Sequence, residues 1–321
     1  MNTRLNLFLI FVLAVTFVLS LLAGKVWLPF DEWGAGGTAA IILAELRLPR
    51  AVLAIVIGAG LGMAGAVMQG FLRNPLADPG LFGISPGAAL GAVLSLYFGF
   101  AASAWLLPIF ALIGAGGAMF LLALIAGRSA SIILFTLAGM MIASLAGAFT
   151  SLAISLAPTP FAMTEIVTWL MGALTDRSWR DVWIAAPLIG LGMVCLMMTM
   201  RALDALTLGE AAARSLGVNM VRLQWWIIIG IGLSVGASVA VAGIIGFVGL
   251  VVPHLVRPLT DGRPSSLLVP SALAGAVLLL AADSLVRILP MASELRLGIA
   301  MSLIGGPFFL ALLIQMRRKL A

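Results

Sequence analysis

The sequence predicts an all-α membrane protein, and three observations carry that expectation. The 321 residues are 63% hydrophobic and only 9% charged, with a mean hydropathy of +1.21, far from the roughly half apolar and quarter charged mix of a soluble domain. The charges gather into short punctuation between long apolar stretches. Those stretches lack the alternation of polar and apolar residues that a membrane barrel requires, so backbone groups in lipid have to be satisfied within helices.

Taken in order, the apolar segments are Leu5–Leu28, Ala51–Leu72, Gly83–Ala101, Trp105–Ala126, Ile132–Leu156, Val182–Met200, Gln224–Val241, Gly246–Val256, Leu267–Arg287 and Leu297–Met316. They predict ten spans in a single polytopic domain over residues 1–321, since a bilayer core takes about 20 apolar residues per helix. The seventh and eighth are poorly separated. The first follows Arg4 as a signal peptide would, but its apolar run is too long and no small-residue cleavage site leads to a soluble body, so it is expected to be retained. Cys195 is the only cysteine; inside an apolar run it is expected to be a buried hydrophobe, and neither a disulfide framework nor a cysteine metal site is available.

With the N-terminus cytoplasmic, the inside collects Arg4, Arg73, Arg128, Arg201, Arg214, Arg222, Arg257, Arg263, Arg317, Arg318 and Lys319, and the outside the smaller set Lys25, Arg47, Arg50, Arg177, Arg180, Arg287 and Arg296. The positive-inside rule favours that orientation, and an even number of spans puts the C-terminus inside as well. The net charge of +6 is accounted for by orientation and docking rather than by nucleic acid.

Arg47, Arg50 and Arg287 break the rule, which predicts a partner for them. Arg47 and Arg50 lie three apart in Arg47-Leu-Pro-Arg50 and share a face if that segment is helical; two guanidiniums on one surface suit carboxylates, the bland alternative being snorkelling to lipid phosphate. Asp283 with Arg287 also reads as an i, i+4 pair that seats a span end. Glycines four apart, such as Gly58 and Gly62, predict close helix crossings.

Residues 201–218 carry the one loop with a shape of its own. Thr207 and Glu210 are spaced as a capping box, and Gly217 fits the left-handed position that ends a helix. The spacing therefore predicts a short cytoplasmic helix over about 207–217, with Leu208, Ala212 and Leu216 as an apolar stripe beside an i, i+4 pair of Glu210 and Arg214. Such a helix suits a groove on another protein, the alternative being an interfacial helix on lipid. Asn74-Pro75-Leu-Ala-Asp78-Pro79 reads as a rigid turn. The chain holds no Gly-x-x-x-x-Gly-Lys-Ser/Thr loop, so ATP-driven transport needs a separate ATPase subunit.

These motifs together resemble the permease subunits of ABC importers for ferric siderophores, haem and vitamin B12. The resemblance covers nearly the whole chain: Arg47-Leu-Pro-Arg50, Gly58 through Gln69 into Arg73-Asn74-Pro75, Trp169-Leu-Met-Gly172, Thr207-Leu208-Gly209-Glu210 with Ser215-Leu216-Gly217, Gly246-Phe-Val-Gly249 through Pro253-His254 to Arg257, Asp283 with Arg287, Glu294, and Gly305-Gly-Pro307-Phe308. It implies a homodimer of ten-helix subunits, two cytoplasmic ATPase subunits that hold ATP and Mg, and a substrate-binding protein on the other side. No cofactor or metal is implied on this chain.

In the resemblance Thr207, Leu208, Gly209, Glu210, Ala213, Arg214, Leu216 and Gly217 form the ATPase coupling helix. Arg47, Arg50 and Arg287 face glutamates of the binding protein. Asn74, Pro75, Gly246, Gly249, Pro253, His254, Arg257 and Asp283 are structural. His254 is tempting as a haem or metal ligand, but the phrase is shared across the family whatever the substrate, so it is expected to satisfy backbone groups freed at Pro253. One departure is Arg296, where the family commonly has Pro after the Glu motif; it adds another outer cation, for docking or for guiding an anionic substrate.

The expected function is import of a ferric siderophore across the inner membrane by alternating access, with cobalamin or haem as alternatives. A secondary transporter would place ionisable relays mid-membrane, and the acids here sit almost entirely at span ends or in loops. A membrane-embedded enzyme would need a cluster that one His and one Cys do not supply.

Overall fold

The computed structural model describes residues 3–24, 28, 30, 33, 37–100, 103, 105–127, 131–291 and 293–320; Lys25 and Arg128, counted above in the charge balance, lie outside them. All regular structure among the described residues is helical: α1 Thr3–Leu22, α2 Thr38–Ile41, α3 Leu48–Phe71, α4 Ile84–Tyr97, α5 Leu106–Ala126, α6 Ile132–Ser155, α7 Pro160–Leu170, α8 Trp179–Met197, α9 Met200–Leu206, α10 Glu210–Ser215, α11 Met220–Ala242, α12 Val248–Val256, α13 Pro264–Ile288 and α14 Leu297–Leu320. A π turn at Ile42–Arg47 joins α2 to α3 in one rod, Thr38–Phe71.

Among the described residues, 8 helices are long and apolar enough to cross a membrane: α1, the α2–α3 rod, α5, α6, α8, α11, α13 and α14. The shorter apolar helices α4 and α12, the latter extended to Leu259 by a 3-10 turn, account for the remaining two predicted segments. At 1.5 Å per residue α4 reaches only about 21 Å against a core of about 30 Å. The expected ten helices are present, with α4 and α12 as the two short ones. Around the start of the eighth segment Gly243 to Phe247 is non-helical, with Phe247 left-handed at φ +68°, and α12 only begins at Val248.

α3 and α11 are sheathed by other helices, and their side chains Leu53, Ile57, Met68, Phe71, Ile227 and Ile231 are buried. α1, α5, α6 and α14 instead turn Phe11, Phe120, Met141 and Leu303 outward, the apolar exterior of a lipid-embedded bundle. α3 crosses α13 at close range. A side chain on Gly58 would collide with the Gly275 carbonyl, one on Gly275 with the Gly58 carbonyl, and one on Gly62 with the Ser271 carbonyl, so small residues set this contact. Cys195 is buried in α8.

Candidate partner-facing sites and the charged network

The arginines expected at a docking surface are inside the protein. Arg47, Arg50 and Arg287 are only 8%, 8% and 5% exposed, and Asp283 is fully buried. Arg50 Nε donates to both Asp283 carboxylate oxygens at 3.0 Å, its Nη2 reaches Asp283 Oδ1 at 2.9 Å, and the same Nη2 lies 2.9 Å from Glu294 Oε2. Arg287 Nε completes the cluster 3.2 Å from Asp283 Oδ2. The i, i+4 seating pair therefore exists, and Arg50 joins it from α3, 233 residues away in sequence.

The remaining donors explain the uneven charge of three cations on two carboxylates. Arg47 Nη1 donates to the Leu21 and Leu22 carbonyls at 2.7 Å, and Arg287 donates to the Ala23 carbonyl at 3.3 Å and to Ser20 Oγ at 2.6 Å. Those carbonyls are the last of α1, left without helical partners at the end where the helix dipole is negative. Surface display at Arg47, Arg50 and Arg287 is thus corrected: their charges are consumed by Asp283, Glu294 and the C-terminus of α1. Burial raises the Glu294 carboxyl, but the Arg50 guanidinium and the Thr175 hydroxyl, 3.0 Å away, outweigh it and hold Glu294 below the ordinary carboxylate range.

A second set of arginines at the same end is less satisfied. The Thr175–Glu294 bond and a Gly298 N–H to Gly172 C=O bond stitch the loop before α8 to the loop before α14, bringing Arg177 and Arg296 within electrostatic range of each other. Arg180 stacks 5.8 Å over the Trp105 ring and lies 3.8 Å from Asp181, whose carboxylate already serves the Ser178 capping box at the start of α8. Among the described residues, Arg177 and Arg296 meet no carboxylate at ion-pair distance, and Arg177 Nε has no hydrogen-bond partner. All three are partly exposed.

The start of the Gly246–Arg257 phrase, Gly246 to Leu250, lines one wall of a cavity of about 470 Å³ bordered by Asp78, Pro79, Ser85, Ser238 and Phe309. Pro253 lacks the N–H that would pair with the Gly249 carbonyl. Gln69 of α3 supplies it: its Nε2 donates to Gly249 O at 3.4 Å and Leu250 O at 3.1 Å, while its Oε1 accepts from Arg257 Nη2 at 2.9 Å. Gln69 is thus a donor to the carbonyl freed at Pro253 that the sequence reading did not identify; His254 packs edge-on against Phe308, ring centres 5.7 Å apart. Gly249 lies against Pro79 and the Leu61 carbonyl, whereas Gly246 faces open space. The Asn74–Pro79 turn forms as expected, with Asn74 Oδ1 accepting from Leu76 N at 3.0 Å and Asp78 Oδ1 from Gly80 N at 2.7 Å.

At the opposite end the expected short helix is α10, residues Glu210–Ser215 rather than 207–217. The capping box does not form. Thr207 remains helical at the end of α9 and donates its hydroxyl to the Asp204 carbonyl at 2.7 Å, and the chain reverses at Gly209, φ +99°. The C-terminal reading holds: Gly217 has φ +85°, Val218 N–H reaches Ala213 O at 3.0 Å and Gly217 N–H reaches Arg214 O at 2.9 Å, the two bonds of a Schellman motif. Ala213 is buried, while Leu208 and Leu216 are 69% and 64% exposed. Glu210 and Arg214 approach to 3.9 Å.

A signal for Gln69 was present, a lone amide in an apolar span, which needs a partner. Nothing local marked Ser20 or Thr175.

Comparison with known proteins fits this arrangement. The model of the FecCD transport family matches residues 12–315. The chain is 36% identical over 312 residues to the vitamin B12 import system permease protein BtuC of Klebsiella pneumoniae subsp. pneumoniae, covering 96% of this chain and 92% of that one. It is 36% identical over 321 residues to the Fe(3+) dicitrate transport system permease protein FecD of Escherichia coli (strain K12), covering 99% and 100%. A solved inward-facing conformation described as a metal-chelate type ABC transporter superposes with a TM-score of 0.89 at 33% identity, over 97% of this chain and 99% of that one. PsaBC from Streptococcus pneumoniae, in complex with Fab, shares the fold at 19% identity and a TM-score of 0.58, over 88% and 92%. The chain belongs to the FecCD transport family and is the multi-pass permease of an ABC importer, whose ATPase is a separate subunit.

Proposed function

We propose that this permease pairs with a second copy of itself, rests on two cytoplasmic ATPase subunits and receives a ferric siderophore from a substrate-binding protein at the outer face of the inner membrane, with both termini cytoplasmic. The observation that carries the reading is the display of Leu208 and Leu216 on either side of a short helix closed by a Schellman turn. Two exposed leucines separated by one short helix suit an apolar cleft on a partner, and Ala213 anchors the same helix to the permease. Closure of the ATPases on ATP would draw this helix inward and change the side to which the cavity beside Gly246–Leu250 opens. Such coupling requires contacts that differ between the two states.

Docking of the binding protein is assigned to Arg296 with Arg177 and Arg180, because Arg47, Arg50 and Arg287 have their charges satisfied internally. A cobalamin reading stands second, favoured by identity to a vitamin B12 permease; the Fe(3+) dicitrate relative favours iron chelates. Vesicles reconstituted with permease, ATPase and binding protein are to be offered labelled ferric siderophore, haem and cobalamin. ATP-dependent uptake of the ferric siderophore alone is expected. Uptake of cobalamin alone replaces the substrate, and ion-gradient-driven uptake without the ATPase overturns the mechanism.

A further inference from the structure

Beside α10 a groove of about 390 Å³ runs between α9 and α11, with Arg201 on one wall and Asn219, Arg222 and Trp226 on the other. It continues along α11 past Trp225 to Ile229 in a second hollow of about 340 Å³. Both guanidiniums are exposed, and neither meets a carboxylate at ion-pair distance among the described residues. The Asn219 carboxamide oxygen is already taken by the Arg222 N–H at 2.9 Å, which caps α11, so the groove offers cations and no competing anion.

Arg222, Trp225 and Ile229 follow at i, i+3 and i+7 and so share one face of α11. At 1.5 Å per residue they descend about 10 Å, from charge through indole to hydrocarbon. That order matches the layers of a membrane leaflet: headgroup, interface where Trp concentrates, acyl chain. We infer that the groove between Arg201 and Arg222 binds the phosphate of an anionic phospholipid, with one acyl chain laid along Trp225 and Ile229. Two arginines converging on one concavity distinguish this from ordinary snorkelling, in which each cation reaches the leaflet surface singly. The groove also ends on Leu216 and Gly217, so a seated lipid braces the turn that closes α10.

The test uses the full-length permease in bilayers of phosphatidylcholine mixed with phosphatidylglycerol. Phosphatidylglycerol with brominated acyl chains is expected to quench tryptophan fluorescence with about thirtyfold tighter apparent association than brominated phosphatidylcholine, the size expected for two arginines near an anionic headgroup. The difference should vanish in Trp225→Phe/Trp226→Phe, which removes the reporters. Native mass spectrometry of the detergent-extracted protein should retain phosphatidylglycerol in preference to phosphatidylcholine, and Arg201→Gln/Arg222→Gln should lose that preference. Equal quenching by the two lipids, or an unchanged preference in the double arginine variant, overturns the assignment. Displacement of the lipid by millimolar inorganic phosphate overturns its lipid half, leaving a free-anion site. The quenching comparison uses wild-type protein and decides the matter even if the double variant does not fold.

Discussion

The two ends of the bundle treat their chemistry in opposite ways. At one, Arg47, Arg50 and Arg287 are sealed against Asp283, Glu294 and the last carbonyls of α1. At the other, Leu208 and Leu216 stand exposed at the two ends of a helix too short to bury them. Charge in an apolar environment and hydrocarbon outside it are both costly, and only the first has been resolved within this chain. The buried network at the first end is therefore architecture, and the exposed leucines at the second are what the proposed function sets against the ATPase.

The largest effect that sharpens the contrast is expected at Asp283. Asp283→Ala leaves Arg50 and Arg287 buried with Glu294 alone and should cost about 3–5 kcal/mol, seen as loss of folded protein in detergent or a large fall in Tm. A Tm near wild type would return the cluster to the surface. Next is Gln69→Leu, which leaves the Gly249 carbonyl unmet beside Pro253 and should cost about 1–3 kcal/mol; no change in Tm would show that the broken segment needs no such donor.

Smaller still in stability, and visible in binding, is Arg177→Glu/Arg296→Glu. It should weaken binding-protein affinity and flatten its salt dependence while leaving Tm within about 0.5 kcal/mol of wild type. Unchanged affinity would remove the second arginine set from docking. The smallest effect is expected at Thr207→Ala, below about 0.5 kcal/mol, since Thr207 bonds back to Asp204 instead of capping α10; a loss of about 1 kcal/mol would mean that the capping box forms in the membrane.

The all-helical class and the placing of the apolar segments were legible in the sequence because hydropathy is local. So was the end of α10, where Gly217 and its neighbours suffice. The start of α10 was not: Thr207 and Glu210 have the right spacing, but α9 continues through Thr207 and uses its hydroxyl first. The arginines were misplaced for a different reason. Charge balance identified Arg47, Arg50 and Arg287 as exceptional, yet the partners of Arg50 lie on α13 and the loop beyond it, and those of Arg47 at the end of α1. Only the α3–α13 crossing at Gly58 and Gly275 brings Asp283 to Arg50. Gln69 was hidden likewise, since the vacancy it fills is created by Pro253 on another helix.

The most direct test of the account is transport by Leu208→Asp/Leu216→Asp permease, reconstituted in sealed vesicles with its ATPase and binding protein. The account predicts wild-type Tm, failure of the ATPase to copurify and no ATP-driven uptake. Normal ATP-driven uptake by that variant would contradict it.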